Sequence, residues 1–125
     1  LARRGWQELG EEDRRQLRLV LELIAEKQGQ RTVVLDLQEF AVPSSYFVIT
    51  EGGSERQTEA IAEHIMEEFP GPKPLSEGLD SKRWVVLDYG SFMVHIFQPE
   101  VRRFYDLEGL WGEVELEPDG GESAT

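Results

Sequence analysis

Cysteine is absent from this 125-residue chain. Neither a disulfide framework nor a thiolate metal site can be built from it, which suits a reducing compartment. Histidine is scarce: His64 and His95 are the two in the sequence, and they offer no metal-ligand spacing. No cofactor is expected. No apolar run approaches the roughly 20 residues that span a bilayer, so no membrane partner is expected. Arg3 and Arg4 are followed by Gly5-Trp6-Gln7-Glu8 rather than by the apolar stretch of a secretory signal. The chain opens on Leu1, so some N-terminal residues are expected to be missing. The expected location is cytoplasmic, or organellar if a transit peptide was removed. Basic residues are also few, 13 Lys and Arg against 25 Asp and Glu, for a formal net charge of −12. Direct binding to DNA or bare RNA is not expected, because neutralising phosphates takes clustered Lys and Arg. A basic protein partner fits this charge better.

What is present suits one domain. At 125 residues the chain can bury roughly two-thirds of its unfolded surface in a single core. Residues 1–10 read as a loose N-terminal segment, 11–112 as the folded domain, and 113–125 as an acidic tail expected to be disordered. That tail holds Glu113, Glu115, Glu117, Asp119 and Glu122 and no base; setting its five charges aside leaves −7 of the −12 on the body.

The body reads as an α/β (α+β) fold, a mixed sheet flanked by helices in the order αββα(β)ββα. Leu17, Val20, Leu21 and Ile24 recur at helical spacing and predict a helix over 11–28, stopped by Gly29. Strands follow at 32–37 and 46–50. Ile61, Ala62, Ile65 and Phe69 mark a second helix over 55–69, ended by Pro70-Gly71-Pro72. A short edge strand is expected near Leu75. Strands at 84–89 and 92–97 flank Gly90-Ser91, and Pro99 opens a third helix running to Trp111. Val101, Phe104, Tyr105 and Leu107 are expected to form its apolar side.

The Gly52-Gly53-Ser54 turn before the second helix could cradle a phosphate or serve a nucleotidyltransferase. Such enzymes hold their metal with Asp-x-Asp, and that pattern occurs nowhere here, nor does the Walker pattern. The stronger reading is a helix cap, with Ser54 and Gln57 as a capping box. His64, beside Glu63 and Glu67, is expected to be solvated or ion-paired. A Ser/His/Asp hydrolase could be assembled from His95, Asp88 and a serine, but no nucleophile-elbow motif supports it.

The last two strands carry more information. If Gly90-Ser91 is a two-residue hairpin loop, Val86 pairs with His95. One face then carries Val85, Leu87, Tyr89, Phe92, Val94 and Ile96, and should be core. The other carries Trp84, Val86, Asp88, Met93, His95 and Phe97. Large aromatics beside titratable groups suit the centre of an interface; a covering helix would explain them equally well. Glu108 stands on the third helix where a core residue is expected. It is either a surface Glu or a carboxylate placed for a partner's Lys or Arg, flanked by Leu110 and Trp111.

At these residues a family resemblance emerges. Trp84-Val85-Val86-Leu87-Asp88-Tyr89-Gly90, then Val94-His95-Ile96-Phe97, then Arg103-Phe104-Tyr105-Asp106-Leu107-Glu108-Gly109-Leu110-Trp111 resemble the Iojap, or ribosomal silencing factor (RsfS), family. Tyr46-Phe47-Val48-Ile49, Gly52/Gly53-Ser54, Arg56-Gln57 and Ala60-Ile61-Ala62 match as well. The resemblance covers roughly 10–112 and leaves the Glu-rich tail outside. Ser45 stands where the family usually has Asp, and Glu51 where it has a small residue. The resemblance implies a nucleotidyltransferase-like fold without catalytic carboxylates, and no enzyme activity. It implies a factor that binds ribosomal protein L-fourteen on the large ribosomal subunit, blocks joining of the small subunit and represses translation. It places Trp84 on the contact surface. Val86 and Phe97 are expected to add contact area, and Asp88, His95 and Glu108 directed polar contacts. Tyr105 and Trp111 would fix the third helix beside them. A homodimer in the free state is compatible with this. The competing readings are an enzyme using Gly52-Gly53-Ser54 and an unrelated protein-interaction adaptor.

Overall fold

The computed structural model describes residues 5–111 and 115–116, with Leu110 and Trp111 described in their backbone only. Helix α1 (Glu11–Glu26) starts on three consecutive acids, which suit the positive end of its dipole. Its buried stripe is Leu17, Val20, Leu23 and Ile24. The helix ends before Gly29, because Gln28 itself takes the left-handed conformation (φ 63°).

Strands β1 (Gln30–Asp36) and β2 (Tyr46–Glu51) pair antiparallel. Helix α2 (Glu55–Glu68) follows, then the edge strand β3 (Leu75–Glu77) and the hairpin β4 (Trp84–Asp88) and β5 (Phe92–Phe97). The sheet order is β1-β2-β5-β4-β3; β2 and β5 are parallel and every other pair antiparallel. The hairpin register is the expected one: Trp84 pairs with Phe97 and Val86 with His95.

The two faces of the sheet are packed unequally. Val85, Leu87, Phe92, Val94 and Ile96 meet α1 and α2 in the main core, as their wholly apolar face requires. Tyr89 packs at its edge, where burial pushes the phenol up to about 12. The opposite face carries a smaller cluster of Leu35, Leu37, Ile49 and Phe97. Phe40, Val42, Phe47, Trp84, Val101 and Leu107 pack against it. Part of that face is therefore covered within the chain, as the covering-helix reading expects, and part is not. Its β5 residues His95 and Phe97 are buried, while their β4 neighbours Trp84 and Val86, and Asp88 beyond them, are partly exposed.

Three expectations need correction. The N-terminal segment is not loose over its second half: Trp6 and Leu9 are both in the main core, anchored through a short 3-10 turn (Trp6–Glu8). Two isolated apolar residues make no periodic signal, yet each is large enough to fill a gap beside α1. The acidic tail does not begin at the edge of the packing either. Glu115 bridges to Leu35, the Leu116 amide donates to the Val34 carbonyl at 2.8 Å, and the Leu116 side chain is buried in the core.

The third helix is not continuous. It breaks into α3 (Pro99–Tyr105) and α4 (Leu107–Trp111) at Asp106, which takes φ 46°. The Asp106 carboxylate then accepts from the Gly109 amide at 3.1 Å, so one residue stops α3 and caps α4. The break redirects the chain. Phe104 is 81 % exposed and Tyr105 50 %, not packed inward as the unbroken stripe predicts.

Candidate docking surface

The turn before β4 sets the first wall of the surface. Gly78, at φ +84°, lies where a Cβ would come within 2.0 Å of the Trp84 carbonyl oxygen. Only glycine lets the chain fold back this closely. The Lys82 amide donates to the Gly78 carbonyl at 2.9 Å and closes the loop. Gln98, at the end of β5, then ties this turn to α3. Its amide donates to the Arg83 carbonyl at 2.9 Å, and its side-chain Nε2 to the Lys82 carbonyl at 3.0 Å. Between the two walls lies a groove of about 530 Å³, lined by Ser81, Arg83, Trp84, Glu100, Val101, Phe104 and Tyr105.

Trp84 is the hub of the groove. Its ring stacks on Phe97 (centroids 4.9 Å, 28° between planes) and touches Tyr105 (4.7 Å, 45°). Tyr105 in turn meets Phe104 edge-on at 5.0 Å. The indole Nε1–H donates to His95 Nδ1 at 3.1 Å. His95 is 4 % exposed, and Phe47 packs edge-on against it at 4.5 Å. Burial lowers its pKa to about 4, so the imidazole is neutral near pH 7. Partly exposed aromatics grouped with one acid and one base at the rim are what the centre of a protein interface uses.

The structure brings Trp84, His95, Phe97 and Tyr105 together, with Val86 beside them through its pairing with His95. His95 and Phe97 are buried, however, and neither opens onto the surface. Asp88 is not in the groove: it lies at the hairpin end of β4, where its Oδ1 accepts from the Gly90 amide at 2.8 Å. Glu108 is engaged within the chain. Its Oε2 accepts from Arg102 Nε at 3.0 Å and Nη2 at 2.7 Å, and Arg102 Nη1 reaches Glu51 Oε1 at 3.1 Å. This carboxylate is thus committed to a bidentate guanidinium inside the chain, with its side chain 27 % exposed. The Trp111 side chain lies outside the described residues. Arg83 and Glu100, which also line the groove, are not singled out by the sequence, and Phe104 does not pack with the apolar side on which its spacing puts it.

Both glycine amides of the Gly52-Gly53-Ser54 turn are used within the fold. Ser54 Oγ accepts from the Gln57 amide at 3.1 Å, and the Gly53 amide donates to Gln57 Oε1 at 2.7 Å. The Gly52 amide donates to the Phe97 carbonyl at 2.8 Å. The Ser54 cap is as expected, while the reciprocal bond of the box reaches Gly53 rather than Ser54. His64 is paired, with Glu26 of α1 at 2.7 Å rather than with its helix neighbours. Among the described residues no helix is long and apolar enough to cross a membrane, and no group of three metal-ligating residues occurs.

Comparison with known proteins gives a consistent result. A family model described as "Ribosomal silencing factor during starvation" matches residues 10–124, and so extends over most of the acidic tail. The chain is 35 % identical over 108 residues to the "Ribosomal silencing factor RsfS" of Halalkalibacterium halodurans, covering 81 % of this chain and 92 % of that protein. It is 28 % identical to the mouse "Mitochondrial assembly of ribosomal large subunit protein 1", covering 74 % of this chain and 43 % of that one. A crystal structure of a protein from Chromobacterium violaceum superposes with a TM-score of 0.74 at 31 % identity, covering 78 % of this chain and 84 % of that one.

Proposed function

This chain belongs to the ribosomal silencing factor family, and we propose that it binds the large ribosomal subunit through ribosomal protein L-fourteen and so blocks joining of the small subunit. The observation that carries the docking surface is the groove of Trp84, Phe104 and Tyr105 beside β4. Phe104 is 81 % exposed, so nearly all of its apolar surface is left for a partner to bury, beside the rings of Tyr105 and Trp84.

The polar groups at the groove sort the chemistry of the partner. Glu100 on α3 meets a Lys or Arg of a basic ribosomal protein, and Arg83 on the opposite wall meets a carboxylate or a main-chain carbonyl. The net charge of −12 steers the encounter with a basic partner and is screened as salt rises. Trp84, Tyr105 and Phe104 supply the desolvated area. Asp88 and Glu108 have no part in the contact. Repression then needs no reaction: occupancy of the surface that the small subunit must reach is sufficient. The action is not catalytic.

The test is sedimentation of the chain with isolated large and small subunits, followed by gradient analysis of subunit joining. Pelleting with large subunits alone, and fewer joined ribosomes in proportion to the chain added, supports the proposal. Pelleting with small subunits, or joining unaffected at saturation, contradicts it.

A further inference from the structure

Trp84 and His95 are joined by a hydrogen bond whose chemistry leaves an unusual remainder. The indole is a donor only, so His95 Nδ1 must accept. A neutral imidazole that accepts at Nδ1 carries its proton on Nε2. Among the described residues that Nε2 is buried and has no hydrogen-bond partner. A buried donor left without a partner is destabilising. The pocket around it is aromatic: Phe47 lies 4.5 Å from the imidazole, and Phe97 lies 6.2 Å away and nearly parallel. For stability alone, an apolar side chain of similar size would suit this place better. The polar atom that earns its position is Nδ1, and its one contact is Trp84.

We propose that His95 is a positioning residue, which through Nδ1 fixes the Trp84 indole in the floor of the groove and occupies its only donor. This rests on the groove being the docking surface. Two consequences follow from the geometry. The indole cannot swing out to give its N–H to water, so the groove is formed before a partner arrives, and less freedom is lost on binding. The partner also finds no hydrogen-bond donor on Trp84. It is recognised by aromatic surface, with the directed contacts left to Arg83 and Glu100 at the walls. Stacking on Phe97 restrains the plane of the indole; His95 chooses which edge turns inward.

The test compares His95→Phe, which fills the space without an acceptor, with His95→Asn, whose amide oxygen can reach the Nδ1 position. The indole Nε1–H resonance of Trp84 in the free protein, its exchange with water and large-subunit binding are read for each, with urea unfolding alongside. His95→Phe should fold at least as stably as the unmutated chain, shift that resonance, speed its exchange and weaken binding about tenfold. His95→Asn should restore slow exchange and most of the binding. Trp84→Phe removes the donor, and in that background His95→Phe should change binding less than twofold. Full additivity of the two changes, or normal binding by His95→Phe despite a displaced indole, would overturn the inference. So would fast Nε1–H exchange in the unmutated protein. If His95→Phe does not fold, His95→Asn and the exchange rate of the unmutated chain still decide it. An unmutated chain that fails to pellet with large subunits would overturn the docking reading itself, and the exchange data would separate that failure from loss of the Trp84–His95 bond.

Discussion

Arg102 grips Glu108 across the break at Asp106, with Nε at 3.0 Å and Nη2 at 2.7 Å from the same carboxylate oxygen. The remaining arm of the guanidinium reaches Glu51 on β2 at 3.1 Å, and the Arg102 and Glu51 side chains are 8 % and 5 % exposed. One cation therefore ties α3, α4 and the sheet together. Arg31 adds a peripheral contact to Glu51 at 3.4 Å from an exposed position.

Removing the shared cation should be costly, because two carboxylates would then be left close together with their main charge partner gone. Arg102→Met is expected to lower unfolding free energy by about 3–5 kcal/mol, the range for breaking one side of a buried ion pair. Urea unfolding measures it. A loss below about 1 kcal/mol would mean that the cluster is hydrated and holds little.

His95 gives the stability a defined pH dependence. Burial lowers its pKa from 6.5 to about 4, so the unfolded chain takes up a proton that the folded one refuses. Its contribution is complete above about pH 6.5, declines as pH falls, and is gone once the folded imidazole itself protonates near 4. Between about pH 7 and pH 5 this amounts to about 2 kcal/mol. His95→Phe should lack that loss, and the difference between the two proteins removes the titration of the carboxylates they share. Parallel stability profiles over this range would show that His95 is hydrated in the folded state.

The C-terminal segment divides at Leu116. Its side chain is 4 % exposed against β1, so Leu116→Ala should cost about 2 kcal/mol or more. Deleting residues 118–125, which are almost free of apolar side chains, should leave the melting temperature unchanged. Thermal unfolding of both variants checks this; equal losses would show that the acidic end packs as well.

How far these features can be read without coordinates depends on how local their causes are. The register of β4 and β5 follows from a two-residue loop and an unbroken apolar face, so Val86 opposite His95 was legible. The break at Asp106 was not, because a single aspartate in left-handed conformation looks like any helical residue in a stripe. An unbroken helix would turn Phe104 inward with Val101. Glu108 did carry a signal. A carboxylate at a core position asks for a base, and Arg102 lies six residues away, too far along one continuous helix but within reach across a bend. Glu51, an acid at the end of the largely apolar strand β2, is the other half of that signal. Trp6, Leu9 and Leu116 left no pattern, since each fills its place by shape alone.

The role of the groove is tested most directly with Phe104, because Trp84 is partly structural through Phe97 and His95. At 81 % exposure, Phe104→Ser should change folding stability by no more than about 0.5 kcal/mol. Val85→Ala, fully buried in the main core on the other face, should cost roughly 2 kcal/mol of stability while its folded fraction binds normally. The decisive measurement is the affinity of the unmutated chain and of Phe104→Ser for isolated large ribosomal subunits, by sedimentation at fixed salt. The expected result is saturable binding by the unmutated chain and a loss of about tenfold or more in the variant, about 1.4 kcal/mol or more. Equal binding by the two proteins, with both fully folded, would contradict the assignment of this groove as the docking surface.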